Sequence, residues 1–188
     1  SMRALREIYL RNFEIAVRES QPWTIMTSYN YINGRYTSED HGLLEEILRG
    51  EWGFEGAVVT DWGGGIDPVA QVKAGDDLIQ PGTYAQYETI VKAVREGRLS
   101  EEDLDRCVRR ILELVVRTPR FKGYEYSNKP DLKAHAELTR RVASEGFVLL
   151  KNDGNTMPLK QPDRVALFGS GSYKFIAGGR GSGGTARA

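Results

Sequence analysis

The chain has 188 residues, and 26 Lys+Arg balance 26 Asp+Glu to a formal net charge of zero. That balance excludes a dedicated polycation for nucleic acid and gives no long-range steering toward acidic partners. A hydrophobic content of 40% with 28% charged residues excludes wholesale disorder, and no apolar run approaches the ~18 residues of a membrane span.

Residues 3–19 read as an amphipathic helix, with Leu5, Ile8, Tyr9, Phe13 and Ala16 at helical spacing. Pro22 blocks its continuation. Trp23 to Tyr29 is a short β-prone run, and Asn33-Gly34 marks a turn. Ser38 is the expected cap of a second helix, whose apolar stripe is Leu43, Leu44, Ile47 and Leu48 and which Gly50 and Gly53 end. Gly56 to Asp61 is the next strand, apolar on both faces as in a parallel sheet covered by helices.

A short helix is expected over residues 66–74, and a third strand over Asp77–Gln80, closed by Pro81-Gly82. Tyr87, Ile90, Val91 and Val94 mark another helix that stops near Gly97. Ser100-Glu-Glu-Asp103 resembles a capping box, with Asp in place of the usual Glu or Gln, and opens a long helix running to Thr118. Residues 119–131 lack periodicity and read as a linker. A helix over 132–144, strands over Phe147–Leu150 and Arg164–Phe168, and a glycine-rich tail complete the expectation. The alternation argues an α/β fold, a parallel sheet wrapped by helices. Three parallel strands make a poor sheet by themselves, and both termini have the look of cuts.

Asp61 is the sharpest chemical candidate. It ends an apolar strand and precedes Trp62 and three glycines. In α/β barrels the active site lies at that end of the strands, and a buried carboxylate needs a partner or a task. A cap of the following turn is an equal reading from the pattern alone. Trp62 suits stacking on a sugar face or ordinary core packing. Tyr29 ends the preceding strand and would face the same mouth, where it can donate a hydrogen bond to a carboxylate. One of Asp76 and Asp77 would also face the mouth, or both are turn residues. Glu45-Glu46 and Glu101-Glu102 read as solvated helix faces.

His41 and His135 lie far apart with no nucleophile motif nearby, so a hydrolase triad is not expected. Cys107, the single cysteine, reads as a core or groove thiol. Gly169-Ser-Gly171 invites a dinucleotide reading, but Lys174 stands where the third glycine belongs. The run Gly178 to Gly184 reads as a ligand loop or a flexible connection.

Met26-Thr-Ser-Tyr-Asn30, Ile32-Asn-Gly34, Leu43-Leu44, Ile47-Leu-Arg49 and Trp52-Gly-Phe54-Glu-Gly56 lead into Val58-Val-Thr-Asp-Trp62. Together they resemble the nucleophile region of glycoside hydrolase family 3, the family of many β-glucosidases. Arg3 to Leu10 looks like the helix that precedes it there. Ala74-Gly-Asp-Asp-Leu78 with Pro81-Gly82 looks like the last barrel strand and loop. Val142-Ala143, Val148-Leu-Leu-Lys-Asn152 and Pro158-Leu159 look like the entry to the second domain, and Arg164 to Gly169 like that domain's first strand.

The resemblance implies the C-terminal part of a (β/α)8 TIM barrel over residues 1–118, a linker over 119–131 and the start of an α/β sandwich over 132–188. It implies a retaining, exo-acting β-glycosidase with a carbohydrate substrate. Asp61 would be the nucleophile, Trp62 an aromatic wall, Tyr29 the hydrogen-bond donor to the nucleophile and Met26 part of the sugar pocket. Thr60 replaces the family's Ser before the nucleophile, Gln80 stands where Met is frequent, and Gly146-Phe147 replaces Ser-Ile.

Retention needs a second carboxyl about 5–5.5 Å from the first. The resemblance puts that acid/base, and further sugar-binding residues, outside this chain, so the partners expected are the remainder of the barrel and second domain. Two-carboxylate chemistry needs no cofactor and no metal, and neither nucleic acid nor a membrane is an expected partner. A β-N-acetylhexosaminidase or phosphorylase of the same family, or an inactive sugar-binding relative, is the alternative. A cytoplasmic location is the default reading, which the single cysteine does not decide.

Overall fold

A computed structural model describes residues 1–160 and 164–174. The expectation for Gly178 to Gly184 lies outside the described residues. The chain divides into two units, Ser1–Tyr126 and Ser127–Ala188.

The first unit opens with a helical turn, Met2–Ala4, a wider π-type turn, Leu5–Tyr9, and α1 (Arg11–Ser20). The single amphipathic helix expected over 3–19 is therefore interrupted, since the Leu10 N–H reaches back five residues to the Leu5 carbonyl. The inward positions are Leu10 and Val17, while Ile8, Tyr9 and Phe13 of the expected stripe are exposed. Strand β1 (Thr24–Thr27) follows, then a hairpin of β2 (Tyr31–Ile32) and β3 (Arg35–Tyr36). Asn33 and Gly34 both have positive φ, the backbone of a two-residue hairpin loop, which explains the Asn-Gly pair there.

The next helix, α2 (Gly42–Glu51), is wound in π-type turns. Leu44, Ile47 and Leu48 are buried and pack with Leu10, Val17, Trp52, Phe54 and Val58 as one core. Burial of each such aliphatic side chain stabilises by roughly 1.5–3 kcal/mol. Ser38 does not cap this helix. The Asp40 carboxylate accepts from the Leu43 N–H at 3.2 Å, while Ser38 is fully buried and bonded elsewhere.

Strand β4 (Ala57–Thr60) lies parallel to β1, with Thr24 opposite Ala57 and Thr27 opposite Thr60. The third strand expected over Asp77–Gln80 contracts to one parallel bridge between Leu78 and Val59, flanked by backbone bonds to Val58 and Thr60. Helix α3 (Pro68–Ala74) is capped by Asp67, which accepts from the Val69 N–H. Helices α4 (Tyr84–Arg95) and α5 (Glu101–Arg117) follow. Thr83 and Gln86 form a full capping box at α4. At α5 the Ser100 hydroxyl accepts from the Asp103 N–H and donates to the Asp103 carboxylate. Val69, Val72, Ala93, Leu99 and Cys107 form a second core between these helices.

In the second unit, α6 (Leu132–Gly146) is capped by the Asp131 carboxylate. The strands expected over 147–150 and 164–168 do not form. Both stretches lack a ladder, and Leu150 is 92% and Phe168 90% exposed. An apolar run becomes a strand only beside a partner for its N–H and C=O groups, and no described segment of this unit supplies one.

Candidate active site

Parallel pairing brings the C-terminal ends of β1 and β4 to the same edge of the sheet. The ladder runs one bond further, from the Asp61 N–H to the Thr27 carbonyl at 3.2 Å. The chain then leaves β1 through Ser28-Tyr29 and β4 through Asp61-Trp62. The Gly64 N–H turns back onto the Asp61 carbonyl at 2.9 Å.

Asp61 is half-buried, beneath no sealed apolar layer. Its Oδ1 accepts from the Tyr29 hydroxyl at 2.9 Å and from the Trp62 N–H at 2.6 Å. The second contact is the local turn-capping role; the first reaches across the two strand ends. Among the described residues Oδ2 accepts no hydrogen bond, so one carboxylate oxygen is fixed and the other is free. The Tyr29 hydroxyl also lies 3.1 Å from the Trp62 carbonyl. The bond to Asp61 raises the Tyr29 phenol above its ordinary range, because ionisation would set two anions side by side.

Trp62 is 63% exposed, with its indole open at the rim rather than packed in a core. Met26 stands apart from this trio. It is exposed on β1 and lines an apolar cavity of about 560 Å³, with Leu5, Tyr9, Phe13, Ile25 and Asn30. Asp61, Tyr29 and Trp62 do not line that cavity.

Neither Asp76 nor Asp77 sits at the rim. Asp76 is 1% exposed, with Oδ2 3.4 Å from the Thr27 hydroxyl and Oδ1 without a partner. Burial and the adjacent Asp77 push its carboxyl up to about 8. Asp77 accepts from the Val58 N–H at 2.8 Å, from Arg49 at 2.7 Å and from Arg110 at 3.2 Å. Glu45, read from the sequence as solvated, joins this cluster instead. Arg110 grips it at 2.7 and 3.2 Å, and Arg49 and Arg106 lie alongside. The helical face of Glu45 meets α5 and the C-terminal end of α3 at Gly75, a packing that local periodicity does not encode. Cys107 is buried, its thiol directed at the Val72 carbonyl and pushed up to about 12 by burial, which makes it unreactive.

Sequence reasoning missed the anchors of the loop after Trp62. Gln71 and Ser38 are both buried, and the Gln71 amide donates to the Gly64 carbonyl at 2.6 Å and to the Ser38 hydroxyl at 3.1 Å. Glu39 accepts from the Ile66 N–H at 2.6 Å and the Asp67 N–H at 2.9 Å. Nothing in the spacing of Ser38, Glu39 and Gln71 signals this convergence.

A carboxylate at the C-terminal edge of parallel strands, with an aromatic at its shoulder, is the placement that α/β enzymes use for their sites. The family model for the glycosyl hydrolase family 3 N terminal domain matches residues 1–114. The chain therefore belongs to glycosyl hydrolase family 3. It is 39% identical over 188 residues to beta-glucosidase B of Emericella nidulans, a match covering 94% of this chain and 22% of that protein. It is 42% identical over 178 residues to an exo-alpha-(1->6)-L-arabinopyranosidase of Bifidobacterium breve, covering 90% of this chain and 23% of that one. The structure of beta-glucosidase 3B from Thermotoga neapolitana in complex with alpha-D-glucose superposes with a TM-score of 0.83 at 52% identity, covering 99% of this chain and 27% of that one. The chain thus spans about a quarter of the length of the relatives it matches.

Proposed function

We propose that this chain supplies the nucleophile and part of the pocket of a retaining, exo-acting β-glycosidase, with Asp61 as the nucleophile. The observation that carries the reading is the asymmetric grip on Asp61: Oδ1 is held by the Tyr29 hydroxyl and the Trp62 N–H, leaving Oδ2 free. A carboxylate held by one oxygen presents the other in a fixed direction at no orientational cost during the reaction.

In this mechanism Oδ2 attacks the anomeric carbon of a terminal sugar as the bond to the leaving oxygen breaks. A second carboxyl group, contributed by a segment other than this chain, protonates that oxygen. Water activated by the same group then attacks the anomeric carbon and restores Asp61 as a carboxylate, with net retention. Tyr29 and the Trp62 N–H stabilise the carboxylate when it departs. Trp62 forms a wall on the leaving-group side; Met26, which opens on the neighbouring cavity and not beside Asp61, is given a place in the sugar pocket by the family resemblance alone.

Residues 1–118 are the closing part of a (β/α)8 barrel in this reading, residues 119–131 its exit linker and residues 132–188 the opening of an α/β sandwich. The names of the relatives, β-glucosidases and arabinopyranosidases, support a pyranoside substrate and favour testing both β-D-glucosides and α-L-arabinopyranosides.

The test is covalent labelling of the intact enzyme with 2-fluoro glycosides that carry a good leaving group. Mass spectrometry is expected to find the glycosyl adduct on Asp61, and Asp61→Asn to abolish both label and turnover. An adduct on another residue removes Asp61 as nucleophile.

A further inference from the structure

Three consecutive side chains of one short turn, Thr37–Glu39, reach the two loops that carry the site. Thr37 is buried, and its hydroxyl both donates to the Ser28 carbonyl at 2.9 Å and accepts from the Ser28 N–H at 3.0 Å. Ser28 is the residue before Tyr29. Ser38 is fully buried and acts through Gln71 on the Gly64 carbonyl. Glu39 gathers the Ile66 and Asp67 N–H groups on a single oxygen. The turn thus stitches the segment leading to Tyr29 on one side and the loop leaving Trp62 on the other.

We propose that the Thr37–Glu39 turn is a brace that sets the register between Tyr29 and Asp61-Trp62, with Thr37 and Glu39 as positioning residues for the glycosyl transfer. The proposal rests on the reading of Asp61 as nucleophile. The two arms have different targets. Thr37 fixes the backbone that aims the Tyr29 hydroxyl at the nucleophile, and so acts on the sugar-transfer step whatever the leaving group. Glu39 fixes the loop behind Trp62, and so acts on the leaving-group side. Both side chains satisfy backbone groups that would otherwise turn to water and let the loops relax. A carboxylate accepting two N–H groups is the stronger of the two holds.

The experiment compares Thr37→Val, Thr37→Ser, Glu39→Ala and Glu39→Gln in the intact enzyme on a series of β-glycosides with small to bulky leaving groups, alongside thermal midpoints. Thr37→Val is expected to lower kcat/KM about tenfold for every leaving group, and Thr37→Ser to restore it to within about threefold. Glu39→Ala is expected to lower kcat/KM about tenfold for bulky leaving groups and by less than about threefold for the smallest. Glu39→Gln, whose amide oxygen still accepts both N–H groups, is expected to stay near wild type. Activity within twofold of wild type throughout, or a uniform loss in both alanine and valine variants that tracks the thermal midpoint, overturns the brace. Labelling of wild-type enzyme separates the failures. An adduct away from Asp61 overturns the nucleophile and the brace together, whereas an adduct on Asp61 with either flat pattern overturns the brace alone.

Discussion

The Tyr29 hydroxyl donates to Asp61 Oδ1 at 2.9 Å across 32 positions of sequence, a side-chain bond between the exits of the two parallel strands. Replacement of Tyr29 by Phe removes the donor and leaves the ring. The intact enzyme is expected to lose about ten- to a hundredfold in kcat/KM on an aryl glycoside, the range for loss of a hydrogen bond to a charged group. The thermal midpoint should barely move, because the tyrosine is exposed. Conversely, Asp61→Asn removes the anion that holds the Tyr29 phenol up, so the phenol is expected to ionise at lower pH. Carbon NMR of labelled tyrosine reads that shift directly.

Asp76 makes stability depend on pH. Its carboxyl sits at about 8 when folded, against about 3.9 in an unfolded chain. The folded state therefore keeps a proton that the unfolded state releases between those values. The stabilisation is fully present below about pH 4 and is lost as pH rises toward about 8. Asp76→Asn carries no such proton and keeps an acceptor for the Thr27 hydroxyl. Its thermal midpoint is expected to exceed that of wild type at pH 8, with the gap narrowing as the pH falls.

Gly65 tests the loop anchor from the backbone side. Its φ is +89°, and a Cβ there would collide with the Gln71 amide and the Ser38 hydroxyl. Gly65→Ala is expected to cost about 2–4 kcal/mol, combining left-handed strain with the displaced polar contact. Chemical denaturation of the variant measures it, and Ser38→Ala in the same background should recover part of the loss by making room.

The Glu45, Asp77, Arg49 and Arg110 cluster predicts non-additive energetics. The Asp77 side chain is fully buried and that of Arg110 only 17% exposed. Arg110→Met strands a carboxylate with less compensation and is expected to destabilise by about 3–5 kcal/mol. Adding Glu45→Gln relieves one of the stranded charges, so the double variant should be less damaged than the sum of the singles by about 1–2 kcal/mol. Denaturant midpoints of the four proteins complete the cycle.

Much of the first unit was legible because its signals are local. Helical spacing located Leu44, Ile47 and Leu48. Asn33-Gly34 located a turn, though not the two short strands it joins, and Ser100 the start of α5. Asp61 and Tyr29 were legible as strand-end residues for the same reason. The strands of the second unit were not: Phe147–Leu150 and Arg164–Phe168 have the composition of strands, but pairing is a property of two segments and not of one. Ser38 was misassigned because a buried hydroxyl and a capping hydroxyl look alike in sequence, and Glu45 because a helix face does not say what packs on it.

The amino-acid order by itself determined where β1 and β4 end, where the turns fall and which faces are apolar, since each depends on neighbours within about one helical turn. Only the tertiary structure decided that Tyr29 meets one oxygen of Asp61, that Asp76 and Asp77 lie inside rather than at the rim, and that Thr37, Ser38 and Glu39 share the work of holding two loops. Those outcomes follow from the parallel register of β1 on β4, a long-range pairing chosen by the packing of the whole unit.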